Sequence, residues 1–153
     1  MKKILVLCTG NACRSQMAEG YLRFFIQGQV EVISAGLEPT HLHPLAVQVM
    51  LEDNIDISEA ESKGLEQFSG EHFDYLLTVC KNAKDRQPAD VTAEQYFHFD
   101  ISDPEEGAKE VADPNVAFTD TREQIKREML QFIGKQDDLH QPSVSDTASA
   151  FPE

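Results

Sequence analysis

The feature that most constrains the fold is a short apolar run that passes, through a polar loop, into a helical pattern. Residues 2–7, "KKILVL", have the length and character of a buried strand. The loop that follows, residues 8–14, reads "CTGNACR". From Ser15 onward apolar residues share one helical face, at Met17, Ala18, Tyr21, Leu22 and Phe25. A strand followed at once by a helix predicts the first unit of an α/β fold.

Further strand-like runs alternate with helical patterns along the chain. They are expected at residues 30–35, 73–80 and 96–99. This alternation predicts an α/β layer built on a parallel sheet. In such sheets ligands bind just past the carboxyl ends of the strands. Cys8, Cys80 and Asp103 each lie at or just past such an end, which makes them candidate site residues.

Two more helices and a tail complete the predicted organisation. One helix should open at Pro44, and the last should run from an N-cap at Thr119 or Asp120 to Gly134. The length fits one domain, which we expect to span residues 1–134. Residues 135–153, "KQDDLHQPSVSDTASAFPE", lose all periodicity and gain Pro, Ser and Asp. They predict a tail of low intrinsic order.

The charge balance limits the partners. Thirteen Lys and Arg oppose 27 Asp and Glu, which gives a net charge of -14 and a pI near 4.6. A surface this negative repels nucleic acid and anionic lipid, so neither is expected as a partner. A small anionic substrate would need a binding site with its own positive potential.

The apolar segments and the cysteines predict a cytoplasmic protein. The N-terminal apolar run, Ile4–Leu7, is shorter than the ~7–15 residues of a secretory segment. No stretch approaches the ~18 apolar residues of a membrane span. In the cytoplasm thiols stay reduced, so Cys8, Cys13 and Cys80 are candidates for reactive chemistry rather than structural disulfides.

Residues 8–14 can form a binding site for a tetrahedral oxyanion. Backbone N–H groups turned inward by Gly10 and its neighbours would form an anion nest at the positive end of a helix dipole. Arg14 would close the ring with a planar set of donors. Cys8, at the base of the loop, would be favoured as a thiolate placed for in-line attack. Asn11 and Ser15 could brace the loop or hydrogen-bond the sulfur, or be only a turn residue and a helix cap.

The loop also carries a family resemblance. Residues 8–20, "CTGNACRSQMAEG", closely resemble the catalytic loop of arsenate reductases built on the low-molecular-weight tyrosine phosphatase fold. Matching segments are "SAG" at 34–36, "IDIS" at 55–58, "DYLLTVC" at 74–80 and "DISDP" at 100–104. The resemblance covers residues 2–134. It implies a three-layer α/β sandwich, with helices flanking a central four-stranded parallel sheet.

The resemblance implies a role for each candidate residue in arsenate reduction. Cys8 would attack arsenate, Asp103 would protonate the leaving oxygen, and Arg14 would stabilise the charge on the remaining oxygens. Cys80 would then attack the Cys8 sulfur, releasing arsenite and leaving a Cys8–Cys80 disulfide. The implied substrate-binding residues are Thr9, Gly10, Asn11, Ala12, Cys13, Arg14 and Ser15. No bound cofactor and no metal are implied.

The chain departs from the family pattern at two places. Family members carry a third redox cysteine at positions that here hold Asn82 or Gln87. We therefore expect an external thiol, thioredoxin or glutathione with glutaredoxin, to reduce the disulfide. Lys63 replaces an aspartate that the family often places beside a potassium ion. Its ammonium could fill the role of that cation or simply face solvent, and we expect activity that is independent of potassium.

Two other functions remain open at this point. The chain could be a low-molecular-weight phosphotyrosine or small-phosphoester phosphatase, in which water hydrolyses a phospho-Cys8. Against this, Cys80 would have no function, and Glu105 and Glu106 stand where the specificity loop usually has tyrosines. The other alternative is a non-enzymatic oxyanion or thiol sensor.

Two of the cysteines also have a purely structural interpretation. Cys80 could be an ordinary core residue at the end of a strand. Cys13 could pack beneath the loop, or it could pair with Cys8 under oxidation and offer a competing redox route.

Overall fold

Strands and helices alternate through the whole domain. The computed structural model describes residues 1–26, 30–86 and 89–139. The strands are β1 Lys2–Cys8, β2 Val30–Gly36, β3 His72–Thr78 and β4 Thr92–His98. The helices are α1 Arg14–Phe25, α2 Pro44–Glu52, α3 Lys81–Asp85, α4 Pro104–Ala108 and α5 Pro114–Lys135. A short 3-10 helix, Leu65–Phe68, precedes β3.

The four strands form one parallel sheet. Their order is β2-β1-β3-β4, so β1 and β3 are central and β2 and β4 are edges. Residues Ile4–Leu7 of β1 are completely buried, as the continuous apolar run requires of a strand covered on both faces. Because every strand runs the same way, all four carboxyl ends lie at one edge. The predicted α/β fold with a four-stranded parallel sheet and flanking helices is confirmed.

The helices cover the sheet with the apolar faces that the sequence predicted. Met17, Tyr21 and Leu22 of α1 are fully buried, as are Ile125 and Met129 of α5. Helices α1, α2 and α5 pack against one another. Full burial of such side chains stabilises the fold by about 1.5–3 kcal/mol each. Among the described helices, none combines the length and the apolar character that a membrane crossing requires.

Two of the predicted element boundaries were wrong. The last helix begins at Pro114, well before Thr119, because Asp113 caps it by accepting the Asn115 N–H at 3.0 Å. Strand β4 begins at Thr92 rather than at Tyr96. As an edge strand with exposed positions, β4 lacks the apolar run by which a buried strand is recognised.

Ordered packing continues beyond residue 134. Leu139 is buried, and the Asp138 carboxylate accepts the Tyr75 hydroxyl at 2.6 Å and lies 3.3 Å from Lys2 Nζ. This contact ties the end of α5 to the start of β1 and to β3. The remainder of the predicted tail, residues 140–153, lies outside the described residues.

Candidate active site

The predicted site residues meet at the carboxyl edge of the sheet. Cys8 is the last residue of β1, and Cys80 follows β3 by two residues. The Val79 N–H donates to the Leu7 carbonyl at 3.0 Å, which extends the β1–β3 pairing up to the two cysteines. Asp103 follows β4 and caps α4. The chain segments that carry these three residues therefore leave the sheet side by side.

Loop 8–14 has its carbonyl groups turned outward by a second segment, residues 37–43. The carbonyls of Cys8, Thr9, Gly10 and Ala12 accept backbone N–H groups from Leu37, Glu38, Thr40 and His43, at 2.8–3.1 Å. With the carbonyls committed outside, the loop's N–H groups are free to face inward. Inward-facing N–H groups are what the predicted anion nest requires.

The residue that bends the loop is Asn11 rather than Gly10. Asn11 has φ 52, in the left-handed region, whereas Gly10 does not adopt a positive φ. Asparagine tolerates this conformation better than most residues because its side chain hydrogen-bonds locally. Asn11 Nδ2 donates to Ser15 Oγ at 2.8 Å and to Ser34 Oγ at 2.9 Å. The buried Asn11 side chain thus ties the loop to α1 and to β2.

Cys8 lies at the floor of this loop with donors around its sulfur. The Asn11 N–H donates to Cys8 Sγ at 3.3 Å. Ser15 Oγ lies 2.9 Å from the same sulfur and can donate its hydroxyl proton. Both groups can donate hydrogen bonds to the sulfur, and the start of α1 adds its positive dipole end. The surroundings of Cys8 suit a nucleophile.

Arg14 and Asp103 face each other across the mouth of the site. Arg14 Nη1 donates to the Ile101 carbonyl at 3.1 Å, and Nη2 lies 3.8 Å from Asp103 Oδ2. The other Asp103 oxygen, Oδ1, accepts the Glu105 N–H at 2.9 Å. Both side chains are therefore oriented by neighbours before any ligand binds. A guanidinium and a carboxyl group can then act on the same bound oxyanion from one side.

The second cysteine contacts the loop directly. Cys80 Sγ lies 3.5 Å from Thr9 Oγ1 and accepts the Ala83 N–H at 3.4 Å at the start of α3. Asn82 Nδ2 donates to Thr9 Oγ1 at 2.9 Å, which leaves the Thr9 hydroxyl proton available for the Cys80 sulfur. Cys80 is thus joined to loop 8–14 through Thr9, the neighbour of Cys8, while its own side chain is buried.

The pocket above Cys8 has a volume of about 320 Å³. It is lined by Cys8, Thr9, Gly10, Ala12, Cys13, Arg14, Thr40, Asp103 and Glu105. Two residues expected to bind substrate, Asn11 and Ser15, are not among these. Their side chains are fully buried behind the loop and hold its shape. Thr40 and Glu105 were missed by sequence reasoning; only the position of Glu105 beside Asp103 could have suggested it.

Lys63 does not place its ammonium group among the oxygens behind the loop. Lys63 Nζ is exposed and donates to the Glu61 carbonyl at 3.2 Å, while its backbone N–H donates to Asn11 Oδ1 at 2.8 Å. The side chain of Gln16 lies among these oxygens instead. Its Nε2 contacts the Asn11 carbonyl at 3.2 Å, Asn11 Oδ1 at 3.0 Å and the Glu61 carbonyl at 3.0 Å. A neutral amide therefore occupies this cluster of oxygens.

Comparison with known proteins assigns the chain to a family. The model of the low molecular weight phosphotyrosine protein phosphatase family matches residues 3–142. The chain belongs to this family. The phosphatase-family fold thus accounts for the strand order and the position of the loop.

Relatives of this phosphatase-family chain include arsenate reductases. A protein named glutaredoxin arsenate reductase from Synechocystis sp. is 35% identical over 135 residues, covering 88% of this chain and 98% of the relative. A structure described as an arsenate reductase in the oxidized state aligns with a TM-score of 0.75 at 32% identity, covering 88% and 98%. A low molecular weight protein tyrosine phosphatase from T. tengcongensis aligns with a TM-score of 0.68 at 25% identity, covering 89% and 100%.

Proposed function

We propose that this protein is an arsenate reductase that uses Cys8 as nucleophile and Cys80 as resolving thiol. The observation that carries the proposal is the contact of the Cys80 sulfur with Thr9 of the loop that holds Cys8. A phosphatase needs no second thiol there. The relatives named arsenate reductase support the same function.

In the first step Cys8 attacks arsenate held in the loop. A sulfur–arsenic bond forms and one arsenic–oxygen bond breaks, and Asp103 donates the proton that lets this oxygen leave as water. The loop N–H groups and Arg14 stabilise the negative charge on the remaining oxygens. The orientation of Asp103 by Arg14 and by the Glu105 N–H supports this assignment.

In the second step the Cys80 thiolate attacks Cys8 Sγ. The sulfur–arsenic bond breaks and its electron pair stays on arsenic, which is reduced from the +5 to the +3 state and leaves as arsenite. The two sulfurs are oxidised to a Cys8–Cys80 disulfide. The Thr9 hydroxyl and the Ala83 N–H support this role because both can stabilise the attacking thiolate.

An external thiol then returns the disulfide to the reduced state. Two positions could hold the family's third redox cysteine. One is occupied by Asn82, whose side chain donates a hydrogen bond to Thr9. The other is Gln87, which lies outside the described residues. We infer that thioredoxin, or glutathione with glutaredoxin, supplies the electrons, and that the protein works in the cytoplasm, where these reductants act. The relative named glutaredoxin arsenate reductase supports a thiol partner of this kind.

The proposed function is tested by two assays on one preparation. We expect arsenite release that depends on arsenate and on either the thioredoxin or the glutathione–glutaredoxin system, and that disappears in Cys8→Ser. Hydrolysis of p-nitrophenyl phosphate should be slow, because Glu105 adds negative charge at the pocket where an aromatic side chain would be needed to stack on the substrate. Fast hydrolysis without arsenite release would identify a phosphatase, and oxyanion binding without turnover under either reductant would identify a sensor.

Activity should be independent of potassium, although Asn11, Glu19 and Ser34 resemble side chains that hold the ion in the family. Ser34 Oγ donates to Glu19 Oε1 at 2.6 Å and Arg23 Nε donates to Glu19 Oε2 at 2.7 Å. Asn11 Oδ1 is likewise occupied by protein donors, so a cation would have to displace them. We expect equal kcat/KM in potassium chloride and sodium chloride at matched ionic strength. A clear stimulation by potassium would contradict this.

A further inference from the structure

The pocket is lined by a second thiol, Cys13, that the proposed reaction does not use. Cys13 lines the same pocket as Cys8, in the same loop, and its side chain is buried. If Cys13 attacked the Cys8–arsenic adduct, it would release arsenite just as Cys80 does. The products would differ in one bond, a Cys8–Cys13 disulfide in place of Cys8–Cys80. Some feature of the site must select between the two thiols.

The two thiols have opposite surroundings. Cys80 Sγ accepts the Ala83 N–H and lies beside the Thr9 hydroxyl group, and neither neighbour carries a negative charge. Cys13 Sγ instead faces a carboxylate oxygen, Glu105 Oε2, at 3.9 Å. Burial first, and then the negative charge of Glu105, raise the pKa of Cys13 above its ordinary value. Asp103 and Cys8 add to this effect and Arg14 opposes it.

Glu105 is held over Cys13 by a second side chain. His43 caps α2 by accepting the Leu45 N–H at its Nδ1, 3.1 Å away, so the ring proton of the neutral imidazole is on Nε2. His43 Nε2 lies 3.6 Å from Glu105 Oε2. The ring packs on Phe118, with centroids 4.7 Å apart. The imidazole is therefore fixed by Leu45 and Phe118, with its Nε2 beside the Glu105 carboxylate.

We propose that Glu105, positioned by His43, selects the resolving thiol by preventing Cys13 from forming a thiolate. Cys80 is then the thiol left to attack Cys8 Sγ. Glu105 is a positioning and selecting residue and takes no part in bond making. This inference rests on the proposed arsenate reductase reaction, and it accounts for a carboxylate at the mouth of a pocket that must bind an anion.

The first test measures the ionisation of Cys13 alone. Cys8→Ser,Cys80→Ser leaves Cys13 as the single cysteine, and its alkylation by iodoacetamide is followed against pH. Adding Glu105→Gln should shift the profile to lower pH and raise the alkylation rate at pH 8, by about tenfold for each unit that the Cys13 pKa falls. Glu105→Asp, which keeps the charge, should restore most of the original profile.

The matched control changes the same charge one residue away. Glu106 belongs to the same helix but pairs with Lys109 at 3.2 Å and does not line the pocket. Glu106→Gln should leave the Cys13 profile in place. If Glu105→Gln and Glu106→Gln gave the same profile as the parent, Glu105 would not control Cys13 and the inference would be overturned.

The second test identifies the thiol that resolves the Cys8–arsenic adduct. Trypsin releases Cys8 and Cys13 together in residues 4–14 and Cys80 in residues 64–81. One equivalent of arsenate should cross-link the two peptides in the native protein. In Glu105→Gln a fraction of the 4–14 peptide should instead carry an internal Cys8–Cys13 disulfide and have a mass lower by two hydrogens. If Glu105→Gln gave only the cross-linked peptides, the selection by Glu105 would be overturned and Cys80 would remain the resolving thiol. If the native protein gave no cross-linked peptides, the proposed function itself would be overturned.

Discussion

Cys80→Ser should stop turnover while leaving the attack of Cys8 on arsenate intact. A serine hydroxyl has nearly the size of the thiol and can keep the contacts to Thr9 and Ala83, but it cannot form a disulfide. With Cys80 removed and Cys13 held back by Glu105, no thiol of the protein is placed to reduce arsenic, and steady-state arsenite release should fall by at least about 10³-fold. Intact-mass spectrometry of this variant after one equivalent of arsenate should detect a Cys8–arsenic adduct or unmodified protein, and no loss of two hydrogens to a disulfide.

The phosphatase assay is the internal control for this variant. Hydrolysis of p-nitrophenyl phosphate needs only Cys8, the loop and Asp103, so any slow hydrolysis by the native protein should persist in Cys80→Ser. The same substitution at the other pocket cysteine, Cys13→Ser, should still allow the Cys8–Cys80 disulfide to form. Arsenite release by Cys80→Ser at the native rate would mean that Cys13 or an outside thiol resolves the adduct, and the role proposed for Cys80 would be wrong.

Gly36→Ala should disrupt oxyanion binding by loop 8–14 without changing any side chain proposed to act in catalysis. A Cβ at Gly36 would lie 2.6 Å from the Thr9 carbonyl oxygen, 2.9 Å from the Asn11 nitrogen and 3.0 Å from the Gly10 carbonyl carbon. All three are backbone atoms of the loop, so the loop must move. Displaced N–H groups no longer meet the developing charge, and kcat/KM for arsenate should fall by about 10²–10³-fold. Steric strain should lower the free energy of unfolding by about 1–3 kcal/mol.

Gly134→Ala provides the matched control for Gly36→Ala. No atom lies within 4 Å of a Cβ at Gly134, and this position is in the last turn of α5. Alanine favours a helix more than glycine does, so stability should stay equal or rise slightly. Phosphate affinity, measured by calorimetry, separates the two variants independently of turnover. Native phosphate affinity and native kcat/KM in Gly36→Ala would contradict the close packing of β2 against the loop.

Much of the fold was predictable because its signals are local. The apolar run of β1 and the helical spacing of α1 are each read from neighbouring residues, and both elements formed as predicted. The start of α5 was missed although its signal, Asp113 followed by Pro114, is present in the sequence. β4 was predicted too short because an edge strand buries few of its side chains. The errors in the predicted boundaries thus lie in segments whose side chains are only partly buried.

The sequence by itself predicted the chemistry that is proposed for the site. A cysteine, a loop with small residues and an arginine at the start of a helix define an oxyanion site, because the strand, the loop and the helix that build it are contiguous in the chain. The second cysteine and Asp103 were recognisable by their positions at strand ends.

Only the tertiary structure decided how the site is held and which groups share it. The outward carbonyls of the loop depend on residues 37–43, the left-handed bend falls at Asn11, and Glu105 reaches Cys13 across 92 positions of the chain. Such contacts join segments remote in sequence, and no local pattern encodes them. They form because a parallel sheet brings the ends of β1, β2, β3 and β4 to one edge, where their side chains meet.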